Sequence, residues 1–208
     1  MSRPDFSAFP KIPRLRRAII VTEKIDGTNA QVLITPEGEV FAGSRNRWIT
    51  TDSDNYGFAR WVEEHADELR TGLGIGQHFG EWWGPGIQRG YRLAGVGRDN
   101  QDGKQFSLFN THRWSCKEDQ PGTHPPACCR VVPTLYVGQY SDVAIQDALE
   151  DLRSNGSKAA PGFMQPEGVV VYMQASASMH KVLLEGDELP KGFLVRAERQ
   201  EVARLEGQ

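Results

Sequence analysis

Apolar positions cluster or alternate with polar ones over residues 18–23, 30–34 and 39–43, the signature of short half-buried strands. A "TPEGE" turn separates the second run from the third, so the three predict a meander. Phe58, Trp61, Val62, His65 and Leu69 then recur at helical spacing behind Asp52, Ser53 and Asp54, which are natural N-caps. An amphipathic helix over 55–70 follows, its aromatic stripe turned to the core. Further strands are predicted at 75–82, 105–109, 130–137, 167–173 and 179–184, and a second helix at 142–153. Ser141 or Asp142 caps that helix, Ile145, Leu149 and Leu152 form its apolar edge, and Asn155-Gly156 ends it. "SNGSKAAPG" reads as a surface loop. Runs of strands broken by occasional helices imply an α+β fold, mainly antiparallel sheets flanked by helices.

A chain of 208 residues with 38% hydrophobic and 25% charged side chains has ordinary globular usage, which excludes disorder and fibrous classes. One compact domain over 1–208 is expected. Runs such as Ala18 to Val21 are far too short for a bilayer span, and the first residues lack an apolar signal segment, so a cytoplasmic protein without membrane contact is expected. Three cysteines argue against a disulfide framework and for a reducing compartment. His112, Cys116, His124, Cys128 and Cys129 make a ligand-rich loop. It lacks the C-x2-C spacing of structural zinc sites, and Pro125 and Pro126 stiffen it, so an ordinary polar loop is expected. A net charge of −3 excludes a wholesale nucleic-acid coat, but Lys11, Arg14, Arg16 and Arg17, then Arg45 and Arg47, then Arg89, Arg92 and Arg98 are grouped enough to form a basic face.

One charged residue stands out by position. In "VTEKIDGTNAQVLI" Lys24 falls where a strand runs into an Asp-Gly turn, with Thr28 and Asn29 offering hydroxyl and amide groups beyond it. A lysine amine is a nucleophile only when neutral, and enzymes place it near cations or in dry pockets to that end. The bland reading is a hairpin turn with a solvated lysine before it.

"EKIDGTNA" resembles motif I, K-x-D-G, of the covalent nucleotidyltransferases, the superfamily of ATP-dependent RNA and DNA ligases and mRNA capping enzymes. The remaining motifs follow in that superfamily's order. "AGSRNRWIT" is similar to motif Ia and aligns Ser44 and Arg45 with its phosphate-binding pair. "HFGEWWGPGIQRGY" is similar to motif III and makes Glu81 the ribose-binding glutamate. "KQFSLFN" resembles motif IIIa, with Phe109, or alternatively Phe106, stacking on the purine, and with Asn110 where an acid is usual. "QPEGVVVYM" resembles motif IV and implies that Glu167 lies by the phosphates and binds metal. Motif V is matched by Lys181 alone, which leaves Lys191 or His180 to replace its second lysine. The Glu-Lys and Gly-Thr-Asn pairs are closest to RNA ligases of the T4 RNA ligase 2 type, and that resemblance implies that Glu23 reads the adenine and Asn29 a phosphate or the nucleic-acid end.

The resemblance implies an ATP-dependent RNA ligase using Mg²⁺ or Mn²⁺. Lys24 would take AMP from ATP, pass it to a 5′-phosphate end, and a 3′-hydroxyl would displace it. Lys24, Arg45, Glu167 and Lys181 would be catalytic. Glu23, Ile25, Asp26, Gly27, Asn29, Arg45, Glu81, Phe109, Glu167 and Lys181 would contact the nucleotide. The partner would be nucleic acid, RNA favoured, held by the arginine clusters. A minimal core is expected, because only some twenty residues follow motif V, too few for an OB domain or a helical C-terminal domain, so a partner could supply a clamp. "FLVRAERQEVARLEGQ" is expected to add a terminal helix with Leu194, Val202 and Leu205 on one edge. DNA nick sealing, guanylyl transfer, and nucleotide binding without chemistry are the alternatives.

Overall fold

A computed structural model of the chain describes residues 5–92, 103–114 and 124–186. Two sheets carry the fold. Sheet A has the order β10-β9-β1-β8, from β1 (Ala18–Lys24), β8 (Thr134–Gln139), β9 (Gly168–Met173) and β10 (Ser178–Leu183). Sheet B has the order β4-β3-β2-β5-β6-β7, from β2 (Thr28–Ile34), β3 (Val40–Ser44), β4 (Trp48–Ile49), β5 (Gly76–Trp83), β6 (Gln105–Leu108) and β7 (Cys129–Val131). All pairings are antiparallel except β6 with β7. The α+β expectation is met.

The expected meander is corrected at its first strand. β1 does not pair with β2; Ile25 to Gly27 carry the chain from sheet A to sheet B, so the Asp-Gly corner is a crossing and not a hairpin. The strand expected over 130–137 is two strands in different sheets, and Pro133, which has no N–H for a ladder, stands between them. The two crossings touch, since Glu23 N–H donates to Pro133 O at 2.9 Å.

α1 (Phe58–Glu64) and α2 (Ala66–Leu73) replace the single helix expected over 55–70. The break falls at His65, whose Nδ1 lies 2.8 Å from Trp61 O, the carbonyl that also accepts the His65 N–H. Gly57 is the cap residue, with φ 84°, yet Asp54 serves from further upstream, accepting from the amides of Ala59 and Arg60 at 2.8 and 3.2 Å. α3 (Asp142–Asn155) ends as expected at Gly156, and Ser141 Oγ accepts from Ala144 N at its start.

Burial divides the interior into three clusters. Val32, Ile34, Phe58, Trp61, Leu69, Trp82 and Phe106 pack sheet B against α1 and α2. Ile19, Val21, Leu149, Leu152, Val169 and Val171 pack sheet A against α3. The third cluster, Ile25, Trp83, Tyr91, Val132, Ala159 and Ala160, fills the seam where both crossings run, with Phe109 and Phe163 against it. Residues 154–162 were expected to be a surface loop, but Ser157, Ala159 and Ala160 are buried in this seam or beside it. No helix among the described residues is long and apolar enough to cross a membrane.

Candidate active site

Lys24 is the last residue of β1 and Glu167 stands just before β9, so both leave the ladder at the same end of sheet A. The Lys24 ammonium and the Glu167 carboxylate form an ion pair in which both side chains are largely shielded from solvent. The next residue, Gly168, has φ 153° and lies so close to Val182 O that an added Cβ would stand 2.2 Å from it. Only glycine lets β9 begin there, which places Glu167 at the mouth of the sheet.

Sheet B brings the opposing wall. Asn29 pairs with Glu81 across β2 and β5, and Glu81 pairs with Ser107 on β6. Glu81 Oε1 accepts the Gly27 N–H at 3.2 Å. A Cβ on Gly27 would fall 2.5 Å from Trp82 O, so this residue type is set by close approach of the corner to β5. Burial pushes the Glu81 carboxyl up to about 7; the Lys24 charge and the Gly27 amide oppose it, Glu167 reinforces it, and Arg45 also lowers it. The corner therefore gathers Lys24, Glu167, Gly27, Asn29, Glu81 and the field of Arg45 from two sheets.

Other expected residues sit differently. Lys181 is exposed and shares a face of sheet A with Val170 and Thr22, one same-face row from Lys24, and no contact joins it to the ion pair. His180 lies on the opposite face, 3.0 Å from Ser178 Oγ, so it is poorly placed to supply motif V's second cation; Lys191 is outside the described residues. Phe106 is fully buried among Phe58 and Trp61, which removes it as a base platform, while half-buried Phe109 borders the seam. Ile25 packs in the seam, 4% exposed.

Glu23 meets an environment other than the one expected. Neighbours on a strand face opposite ways, so where Lys24 reaches the cleft Glu23 turns into the interior. It is 1% exposed. Its carboxylate accepts from Ser157 Oγ at 2.5 Å and from the Lys158 and Ala159 amides at 2.8 Å each. Burial pushes its pKa up, and these three donors with the Lys158 charge pull it down. Its oxygens thus hold the loop after α3.

Two further side chains complete the corner, Tyr91, which was missed in the sequence, and Arg89, which was read only as part of a basic cluster. Tyr91 is fully buried, stacks on Phe163 at 4.3 Å, and its hydroxyl accepts the Glu167 N–H at 3.2 Å while also meeting the Asp26 backbone. Arg89 Nε donates to Asp26 Oδ2 at 3.2 Å, and its Nη1 reaches the carbonyls of Gln165 and Pro166 at 3.3 and 3.4 Å. Both tie the turn of Asp26 to the approach of Glu167. "GIQRGY" gave no cue beyond an aromatic and an arginine in a Gly-rich segment, because their partners lie some 75 residues on. Of the Arg89 to Arg98 group expected to hold nucleic acid, Arg89 is bonded to Asp26 and to the carbonyls before Glu167 while still exposed at a cleft, Arg92 is exposed and Arg98 lies outside the described residues.

The ligand-rich loop shows no metal cluster among the described residues. Cys116 lies outside them, His112 and His124 are exposed, and Cys129 packs in the core of sheet B with its thiol pKa raised by the Cys128 thiol and by burial. A cleft of about 510 Å³ opens beside Pro166, lined by Arg89, Arg153, Met164, Gln165, Leu184 and Glu185, and contains none of the residues expected in the site.

No curated protein matches the chain. Among solved structures, an archaeal ATP-dependent RNA ligase shares the fold at 18% identity with TM-score 0.52, over 83% of this chain and 47% of that one. A lysine-to-alanine variant of the Naegleria gruberi RNA ligase, solved with ATP and Mn, aligns at 18% identity with TM-score 0.47, over 80% of this chain and 49% of that one. The chain spans about half the length of these structures. The family model described as RNA ligase matches residues 17–183, from the strand that carries Lys24 to the one that carries Lys181, and over that length this chain belongs to the RNA ligase family.

Proposed function

We propose that this chain is the adenylylating core of an ATP-dependent RNA ligase, with Lys24 as the nucleophile. The observation that carries the reading is the Lys24–Glu167 pair at the crossing between two sheets, with Glu81 opposite. A lysine held by one carboxylate at a strand end, and not buried in a closed network, is available once that carboxylate is engaged elsewhere.

Lys24 Nζ would attack the α-phosphorus of ATP, forming an N–P bond as the bond to the bridging oxygen breaks and pyrophosphate leaves, with the amine proton released. AMP would pass to a 5′-phosphate end of RNA, and the attacking 3′-hydroxyl would expel it. The donor set suits a hard divalent ion, because Glu167 offers carboxylate oxygen at the cleft. Bound there, Mg²⁺ would neutralise phosphate charge. Glu81 would accept from ribose hydroxyls, Phe109 would stack on the base, and Arg45 and Lys181 would draw phosphates to the mouth. Glu23 would act one step back, by fixing the loop 157–159 against the seam.

Incubation with α-labelled ATP and Mg²⁺ followed by denaturing electrophoresis tests this directly. Wild type should carry an acid-labile label that is absent from Lys24→Ala and from a parallel GTP lane, and should seal a 5′-phosphorylated RNA nick. A binding-only reading has one observation in its favour: the same-face neighbours of Lys181 are Met179 and Leu183, so a second lysine is missing. Nucleotide binding with no covalent label, in protein stripped with pyrophosphate, would establish that reading instead.

A further inference from the structure

The two faces of sheet B differ in what they bury. One carries Ala30, Val32, Ile34, Ala42, Trp82, Phe106 and Leu108 against α1 and α2. The pairing register assigns the open face in rows. Asn29, Glu81 and Ser107 form the row at the cleft. Two residues along each strand, the next row on the same face reads Trp48, Gly43, Gln31 and Phe79 across β4, β3, β2 and β5, and Phe109 extends it, its N–H donating to Phe79 O at 3.0 Å. The third row holds Phe41, Leu33 and Gln77.

Aromatic rings on this face are left in solvent. Trp48 is 51% exposed, Phe79 47% and Phe41 41%, and the rings of Phe41 and Trp48 lie 6.2 Å apart at 55°. Amides stand between them, for Gln77 Nε2 donates to Gln31 Oε1. Gly43 makes this arrangement possible: a Cβ there would fall 2.7 Å from Gln31 Cγ and 3.0 Å from the Trp48 ring, so its absence lets both side chains lie down on the sheet. At a strand spacing of about 4.8 Å, the row from Phe109 to Trp48 extends about 19 Å from the base-binding position. Arg45 and Arg47, both exposed, close its far end in the β3–β4 turn.

We propose that this face is a base-stacking platform for a single-stranded segment of the RNA substrate next to the end being joined. The inference rests on the RNA ligase reading and adds a surface to it. Three observations favour RNA over a protein partner. The platform continues the nucleotide row without a break. In the row from Phe109 to Trp48 the aromatic rings are separated by Gln31 and Gly43 and not by an aliphatic side chain, and π-faces accept any base. Its end is basic, as phosphate requires.

The test is binding of a 5′-phosphorylated single-stranded RNA oligonucleotide to the full chain, followed by anisotropy and by tryptophan quenching, with lysine adenylylation measured in parallel. Trp48→Ala and Phe79→Ala should each weaken binding about tenfold, as expected for loss of one stacked base, with no change in the salt slope. Trp48→Phe should keep most of the affinity but lose the quench. Adenylylation should be unchanged in all three. Wild-type affinity in the alanine variants, or a wild type that adenylylates yet does not bind RNA, would overturn the platform and leave the ligase reading intact. A wild type that forms no adduct would instead remove the ligase reading, and the platform with it. A changed oligomeric state on gel filtration with unchanged RNA affinity would make the face a contact between copies of this chain, which also overturns the proposal.

Discussion

Sheet A buries one face under α3 and presents Thr22, Val170, Lys24 and Lys181 on the other, whereas sheet B buries one face under α1 and α2 and opens a surface of amides and aromatic rings around Glu81. Lys24 and Glu167 of sheet A act at strand ends, where β1 stops and β9 is about to begin. Glu81 of sheet B acts from mid-strand, locked in register by Asn29 and Ser107 on either side. Nucleophilic chemistry needs a side chain able to change partners, and recognition needs groups that hold still. The two sheets separate these needs, and the crossing at Ile25 to Gly27 joins them.

Removing the nucleophile separates the sheets most sharply. Lys24→Ala should reduce the adduct to background while leaving nucleotide binding by sheet B measurable by calorimetry. Next in size are changes at the crossing. Gly27→Ala would drive a Cβ against Trp82 O and the Trp83 side chain and should cost about 3 kcal/mol, read as a lower urea midpoint. Glu23→Ala would strand three donors, two of them buried, and should cost about 3 kcal/mol as well, with adenylylation reduced but not abolished. An unchanged urea midpoint in both would mean that the seam does not couple the sheets.

Glu81 gives a pH signature. Its carboxyl is raised to about 7 by burial, so between its ordinary value near 4.5 and 7 the folded chain holds a proton that the unfolded chain has lost. Glu81's contribution to stability is full below about 4.5 and is lost as pH rises through 7; urea titrations should show this loss, and Glu81→Gln should flatten it. The smallest effect lies away from the cleft. Asp54→Ala removes the acceptor for the first amides of α1 and should cost about 1 kcal/mol, with no change in labelling.

Local order was largely legible in the chain. Strand and helix positions followed from periodicity, Ser141 and Gly156 bounded α3 as capping chemistry requires, and Lys24, Glu81 and Glu167 were singled out by motifs that the structure brings to one corner. Periodicity reports burial of a segment but not its partner. That is why β1 was placed beside β2 and why 130–137 was read as one strand, although Pro133 was visible.

What only the tertiary structure decided is which residues share a place when they are far apart in sequence. The family resemblance gave Glu23 a contact to adenine, and alternation along the strand sends it to the buried side, where Ser157, Lys158 and Ala159 meet it from over 130 residues away. Phe106, the alternative to Phe109 as the stacking ring, is buried by helix packing, while Phe109 stays at the border of the seam. Tyr91 had no signal and Arg89 was read only as one of a basic cluster, since apart from the Asp26 carboxylate their hydrogen-bond partners are backbone groups, whose identity is written in no side chain. The sequence by itself determined the elements and the chemical groups, because these depend on neighbours a few residues apart. The pairing of the sheets, the corner and the open aromatic face depend on long-range register, which exists only in the folded chain.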